Sequence, residues 1–464
     1  MTGRRELVFL VFVVVILLGG IAFDVMSSDV AEQTSIAAEG ERFESRAVFC
    51  PPASGKAKAN TYFTVASGTG EDTVVGTSSG VDEPADLAAD QIQSFHSERS
   101  DALDIVGFGS TVVASGISAR RDPSGAGAAQ CASEASERWY FAAGSSSIDV
   151  TEKILIYNPF PDEAVVSLGA ITPRGELSRT ALRDLAVPAK EWRTIVFSDV
   201  VQVKNTIAVE VETRRGRVVA WRETTAFGKR VTKGIEFDLG APAPEMQWYF
   251  PDGAVGEGAE ETISLLNPGE QEAVVSVILA TPEETLTPPD LVEFVVPPRT
   301  QRVISVGDYT GKKKSELMSV SVIVTSLNGQ PVIAERVVSL DTEDLSGRSS
   351  ELGATETSPA WFLGPAARAP SADAVVVMAP GSEDVTVDLT ILSENGSLLA
   401  PAELQGLQIT AGSRIKVAIG EWTRGEMMGV IVSSDQDVVA ERFSYSEGAA
   451  DISALMGQPI KMLP

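Results

Sequence analysis

The chain has 464 residues, enough for three or four domains, and its 44% hydrophobic and 22% charged content is that of a globular protein. Its formal net charge of −27 repels phosphate backbones and anionic head groups, which argues against nucleic acid as a partner. Val-rich runs bounded by Gly, Pro, Asp and Ser lean towards β structure.

Residues 1–28 open with Arg4 and Arg5, followed by an uncharged apolar run from Leu7 to Phe23. At about 1.5 Å of helical rise per residue the run barely spans a hydrocarbon core of about 30 Å. It is longer than an ordinary signal-peptide core and ends in "GGIAFDVMSSD" without an A-x-A-type cleavage site. The reading favours an uncleaved transmembrane anchor over a cleaved signal. The arginines hold the short tail in the cytoplasm and place the bulk of the chain outside. The membrane, through this segment, is then the first expected partner.

A linker over 29–42 leads to a region, 43–135, that holds both cysteines, Cys50 and Cys131. In an oxidising compartment two thiols predict one disulfide. A zinc site is the alternative, but two Cys and a single histidine, His96, fall short of the usual four ligands. His96 lies in the polar stretch "DQIQSFHSERSD" and reads as a solvated loop residue rather than a triad member.

From residue 136 onward four landmarks recur in one order. The first is an aromatic start at Trp139, Trp248 and Trp361, spaced 109 and 113 residues apart. The second is Asn158-Pro159, then Asn267-Pro268, with Ala379-Pro380 in the third copy. The third is a strand beginning in "AVPAKEWRTIVF", "VVPPRTQRVISV" and "QITAGSRIKVAI". The last is "VVAWRETT", "VIAERVVS" and "VVAERFSY". Such a period marks tandem modules, at 136–241, 242–354 and 355–464. Region 43–135 reads as a worn fourth copy, opening at "AVFCPPASGKAKANTYFTVAS" and closing at "VVASGISA".

Within a module the period is two. Val166, Leu168 and Ala170 alternate with smaller or polar residues, as do Val275, Val277 and Leu279, and Val387, Leu389 and Ile391. The expected fold is all-β, with tandem antiparallel β-sandwich modules of immunoglobulin-like size. Arg215-Gly216 and Asn328-Gly329 read as tight hairpin turns. Junctions such as "LGAPAPEMQ" and "ELGATETSPA" suggest a rod of neighbouring but separate modules.

This pattern of W-Y-F, N-P, V-P and V-V-A-E-R resembles repeats of bacterial, especially actinobacterial, secreted proteins of unknown function. Those modules are similar to the β-sandwich of the sensory-rhodopsin-transducer group. The resemblance implies the fold and an exterior location, and it brings no catalytic residues.

No nucleotide loop, EF-hand spacing or His-based constellation occurs, so no cofactor or metal is expected and the chain reads as non-catalytic. The acidic runs "EGAEE" (257–261) and "DTEDLSG" (341–347) read as solvated turns, and Lys312, Lys313 and Lys314 as a basic loop. Six residues are candidates for interaction. Arg222, Arg336 and Arg442 recur at one place, preceded by Trp221, Glu335 and Glu441, and read first as cross-strand partners of acidic neighbours. Trp139, Trp248 and Trp361 read first as core or junction residues. The alternative gives both sets to a sugar or carboxylate ligand. The expected role is that of a membrane-anchored scaffold of the cell envelope, with envelope proteins or cell-wall glycan as partners. A glycan-binding accessory protein and an acid-residue hydrolase are the second and third readings.

Overall fold

The structure is a computed structural model. It describes residues 45–460 except the segments 52–58, 68–71, 79–80, 88–91, 98–102, 109–111, 122–123, 178–181, 202–203, 282–283, 311–316, 366–369, 394–397, 424–427 and 446–451. The chain divides into two compact units, Met1–Phe43 and Glu44–Pro464. The expected anchor at 7–23 and the lysines at 312–314 lie outside the described residues. Among the described residues no helix is long and apolar enough to cross a membrane.

The second unit is all-β and holds four two-sheet sandwiches of one topology. In the second sandwich, Trp192–Val196, Val150–Tyr157, Val219–Ala226 and Gly234–Leu239 form one antiparallel sheet in that order. Gly175–Leu177, Ala164–Thr172, Ala208–Arg215 and Arg138–Phe141 form the other. The third sandwich repeats both sheets. One runs Thr300–Ser305, Ala259–Asn267, Ile333–Asp341 and Ser346–Leu352, and its partner holds Gln247–Phe250, Ser321–Ser326 and Ala273–Ala280. The first sandwich does likewise, with Ile92–Ser97, Ala59–Ser67, Val112–Arg121 and Ser124–Gln130 in one sheet and Ser45–Cys50, Leu103–Phe108, Asp72–Ser78 and Val81–Leu87 in the other. Val166, Val275 and Val387 and their alternating neighbours face inward, whereas Asp388 is exposed. A period-two pattern with one wet face requires this arrangement.

The two strands before and after Arg215-Gly216 do not pair with each other. Ala208–Arg215 belongs to one sheet and Val219–Ala226 to the opposite one, so the glycine, at φ +82°, carries the chain across the sandwich. Gly329, at φ +76°, does the same, and in the fourth sandwich Gly429–Tyr445 passes between sheets as one 17-residue strand. The expected hairpins are therefore crossings. Asn-Gly signals a left-handed bend, and whether that bend reverses the chain depends on which strands flank it.

The sandwiches do not form a rod. The last strand of each sits against the next: Ser124–Gln130 on Gly234–Leu239, this on Ser346–Leu352, this on Ser453–Met456, and this back on Ser124–Gln130. The four sandwiches close into a ring. Close approach of backbones makes this possible, because a Cβ at Gly127 would lie 2.9 Å from the Ile235 carbonyl oxygen. The apolar cores cross the junctions too. Tyr140, Ile171 and Ala208 join the core of the third sandwich, and Ala66 and Ile92 of the first pack with Phe362, Leu392 and Ile460 of the fourth. Short junctions with apolar sides cannot stay separate when burial stabilises by about 25 cal/mol per Å².

The Cys50–Cys131 disulfide joins the first and last strands of the first sandwich across 81 residues, and Phe49 and Ala132 exchange two backbone hydrogen bonds of 2.8 Å beside it. On the chain-entropy account a loop of this length stabilises by about 4–5 kcal/mol.

Ring closure brings Ser115 and Gly364 together, with the Cβ of Ser115 2.9 Å from where a Gly364 Cβ would stand, so a disulfide there needs the two backbones to part by roughly 1 Å. The pair Ser115→Cys and Gly364→Cys is expected to crosslink in the monomer under mild oxidation. Peptide mapping under non-reducing conditions reads the new bridge; a rod would leave both thiols free.

Candidate functional site: the buried ionic junctions

The recurring Trp residues open the second, third and fourth sandwiches and are 1–2% exposed. Each indole Nε1 donates to one carbonyl of the closing strand: Trp139 to Val218 (2.7 Å), Trp248 to Val332 (2.9 Å) and Trp361 to Val438 (2.8 Å). They staple the first strand to the sheet-to-sheet crossing. This is the core or junction place that the sequence reading put first, and Trp248 and Trp361 also edge a pocket between the sandwiches.

The Asn-Pro pairs are latches. Asn158 Nδ2 donates to the carbonyls of Asp162 (2.7 Å) and Val187 (3.0 Å), and Asn267 Nδ2 to those of Gln271 (2.8 Å) and Val296 (2.9 Å). They tie a turn to the start of the V-P strand. At Ala379 the backbone alone makes the tie, through Ser413 and Gly412.

The arginines carry the most unusual chemistry. Arg222, Arg336 and Arg442 are 1–2% exposed, among the largest fully enclosed side chains. Arg222 Nη2 reaches its cross-strand register partner Asp238 at 2.7 Å, and Arg336 Nη2 reaches its register partner Glu351 at 3.0 Å. This is the cross-strand pairing the sequence suggests. Each Arg also crosses to the next sandwich: Arg222 binds Glu335, and Arg336 binds Glu441. The second oxygen of each Glu accepts a backbone N–H of the preceding sandwich, Ala143 at 2.8 Å and Asp252 at 3.0 Å. In an A-E-R triplet the Glu thus faces the sandwich before and the Arg the sandwich after.

The remaining two junctions depart from this rule in matching ways. The first sandwich carries Gly116 at the Arg position, and the second carries Trp221 at the Glu position. Trp221 Nε1 donates to Gln130 O at 3.3 Å and joins an aromatic cluster with Trp192 and Tyr157 that Phe49 extends. At the closing seam the Glu position holds Ser115, so Arg442 finds no carboxylate ahead. It turns to Asp373 of its own sandwich in a bidentate pair (2.9 and 2.6 Å), which Ser444 and Thr423 also bond.

Asp373 marks a position that the sequence reading passed over. It lies two residues before Val375, the register partner of Arg442. Glu152 stands likewise before Ile154, partner of Arg222, and Glu261 before Ile263, partner of Arg336. Glu261 is 2% exposed within Ala259–Asn267, not part of a solvated turn. Aligning "TEKIL", "EETIS" and "ADAVV" on the arginine's partner strand reveals the shared acid.

One guanidinium thus serves several enclosed carboxylates, and not all of them can ionise. Burial pushes Glu152 up to about 7, against the pull of Arg222, with Glu335 and Glu236 adding to the rise. Burial pushes Glu261 up to about 8, opposed by Arg336 and reinforced by Asp252 and Glu441. Asp238 rises to about 7 for the same first reason. Arg222 itself is held charged, because Glu335 and Asp238 outweigh the effect of burial. No group of three or more His, Cys, Asp or Glu among the described residues is arranged to hold a metal. His96 sits by its backbone in the strand Ile92–Ser97, opposite Tyr62, rather than in a loop.

Fold and site together define a closed, disulfide-bearing ring of four β-sandwiches, two of whose junctions carry buried ion pairs. A family model described as a family of unknown function, DUF5719, matches residues 100–311 and 240–453, and the chain belongs to that family. A comparison with curated proteins finds no match. Among solved structures, the crystal structure of Thermotoga maritima 1070 is similar over 24% of this chain and 96% of its own, at 16% identity and a TM-score of 0.21.

The raised carboxyls give stability a pH dependence of definite sign. Glu152 and Glu261 hold protons in the folded state that the unfolded chain releases above about pH 4.5. Their contribution is therefore complete at low pH and is lost as pH rises to about 7 and 8. Between pH 5 and 9 urea unfolding is expected to show a loss on the order of several kcal/mol. Glu152→Gln and Glu261→Gln should each flatten that profile; an unchanged slope in both would show that these acids ionise normally.

Proposed function

We propose that the protein is a non-catalytic scaffold of the cell envelope, held outside the membrane by its N-terminal segment, in which the ring presents its outer sheet faces and loops to envelope partners. The observation that carries this reading is where the reactive groups are. The recurring Arg and Glu side chains are enclosed and paired with carboxylates and guanidinium groups of the protein itself, and the Trp indoles are spent on backbone carbonyls, so their chemistry serves assembly of the ring. A disulfide is consistent with an oxidising compartment, and the acidic exterior with a soluble, exposed surface. The grouping of the sandwiches with those of the sensory-rhodopsin transducers belongs to the same reading. Binding of cell-wall glycan is the second reading. It is favoured by a polar cleft of about 460 Å³ where the second and third sandwiches meet, lined by Ser145, Asn205, Thr206, Glu260 and Thr262.

Fractionation of cells expressing the full chain tests the first reading. The protein is expected in the membrane fraction, with its ring digested by protease added outside intact cells. Recovery of the whole chain from the cytosol would contradict it. Retention on cell-wall polysaccharide, lost in an Asn205→Ala, Glu260→Ala variant, would establish the second.

A further inference from the structure

The four inner strands line a half-open pocket of about 250 Å³ where the sandwiches converge, with walls from all four. Leu239, Leu352, Leu455 and Met456 supply much of an apolar lining. Every charged side chain that lines it is acidic: Asp238, Glu351, Glu245 and Glu356. The first two are enclosed and already paired with Arg222 and Arg336. Glu245 and Glu356 stand exposed, and both come from the short junctions that follow the inner strands of the second and third sandwiches.

A pocket of this size, placed where four modules converge, has the form of a small-molecule site: apolar walls with a few polar groups to select the ligand. Among the charged groups of the lining an anion would meet carboxylates alone. A neutral polyol would meet mostly hydrocarbon. From the cavity and its one-signed charge we infer a binding site for a small hydrophobic organic cation, such as an aryl-alkyl quaternary ammonium. The apolar part of the ligand fills the void between the inner strands, and its charge lies towards Glu245 and Glu356.

The probe is benzyltrimethylammonium, titrated calorimetrically into the full chain in lipid nanodiscs, with empty nanodiscs as the blank. Phenylmethanesulfonate is the matched anion and neopentylbenzene the uncharged isostere. Saturable one-to-one binding of the cation is expected, with no binding of the anion and weaker binding of the neutral compound. Glu245→Gln with Glu356→Gln should weaken cation binding by about fivefold, and by no more than about twenty-five-fold, since each exposed charge contributes up to about a factor of five. Both positions are exposed, so the variant should keep its melting temperature. Ala243→Trp, at the exposed rim, should block the mouth and abolish binding. Failure of the cation to saturate, equal binding of the isostere, or binding unchanged by both variants would each overturn the assignment.

Discussion

A guanidinium enclosed in protein must find a carboxylate, and in this ring half of that requirement is met by the neighbouring sandwich. Removing one partner of such a pair leaves an uncompensated buried charge, at a cost of about 3–5 kcal/mol. Arg222 with Glu335, and Arg336 with Glu441, therefore make the second sandwich depend on the third and the third on the fourth. The cores reinforce this, since Tyr140 and Ala208 pack into the third sandwich while Ala259 and Val338 pack with Ile452 of the fourth. A buried ion pair contributes little net stability compared with an apolar replacement. What it supplies is selectivity. An Arg-bearing face is stable only against a Glu-bearing one, which fixes which surfaces meet and in what order.

The junctions that lack the pair explain how the ring can be one chain with two unlike ends. Gly116 and Trp221 replace charge by size at the junction of the first and second sandwiches, and the aromatic cluster of Trp221, Trp192 and Tyr157 fills it. The closing seam has neither device. Ser115, buried with no hydrogen-bond partner for its hydroxyl, faces Gly364, and Arg442 is satisfied within its own sandwich by Asp373. Closure there combines the apolar contact of Ala66 and Ile92 with Phe362, Leu392 and Ile460 and a hydrogen bond from Gln130 Nε2 to the Met456 carbonyl at 2.7 Å. It is the junction best suited to form last, and the Cys50–Cys131 bridge steadies the sandwich that must dock there.

Much of a single sandwich was legible in the sequence, because each strand carries its own period and the landmarks recur at fixed spacing. Val166, Val275 and Val387 occupy the inward places their alternation requires, and the two cysteines are bridged. The ring was not legible. Nothing local distinguishes an Arg that pairs within its sheet from one that also reaches the next module, and Arg222 does both. The acids at Glu152 and Glu261 were hidden for a related reason. A Glu in a polar stretch looks solvated until the strand opposite places it beside a buried Arg. Asn328-Gly329 misled because the same left-handed glycine serves a hairpin and a crossing equally well.

The account rests on the cross-module pair, and a double-mutant cycle on Arg336 and Glu441 measures it directly. Unfolding free energies of Arg336→Met, Glu441→Gln and the double variant are compared with the parent in urea at pH 7. The buried pair predicts that the double variant is more stable than the two single losses imply, by about 2 kcal/mol or more. Additivity within about 0.5 kcal/mol would mean that the two residues act independently, and that the sandwiches are not joined in this way.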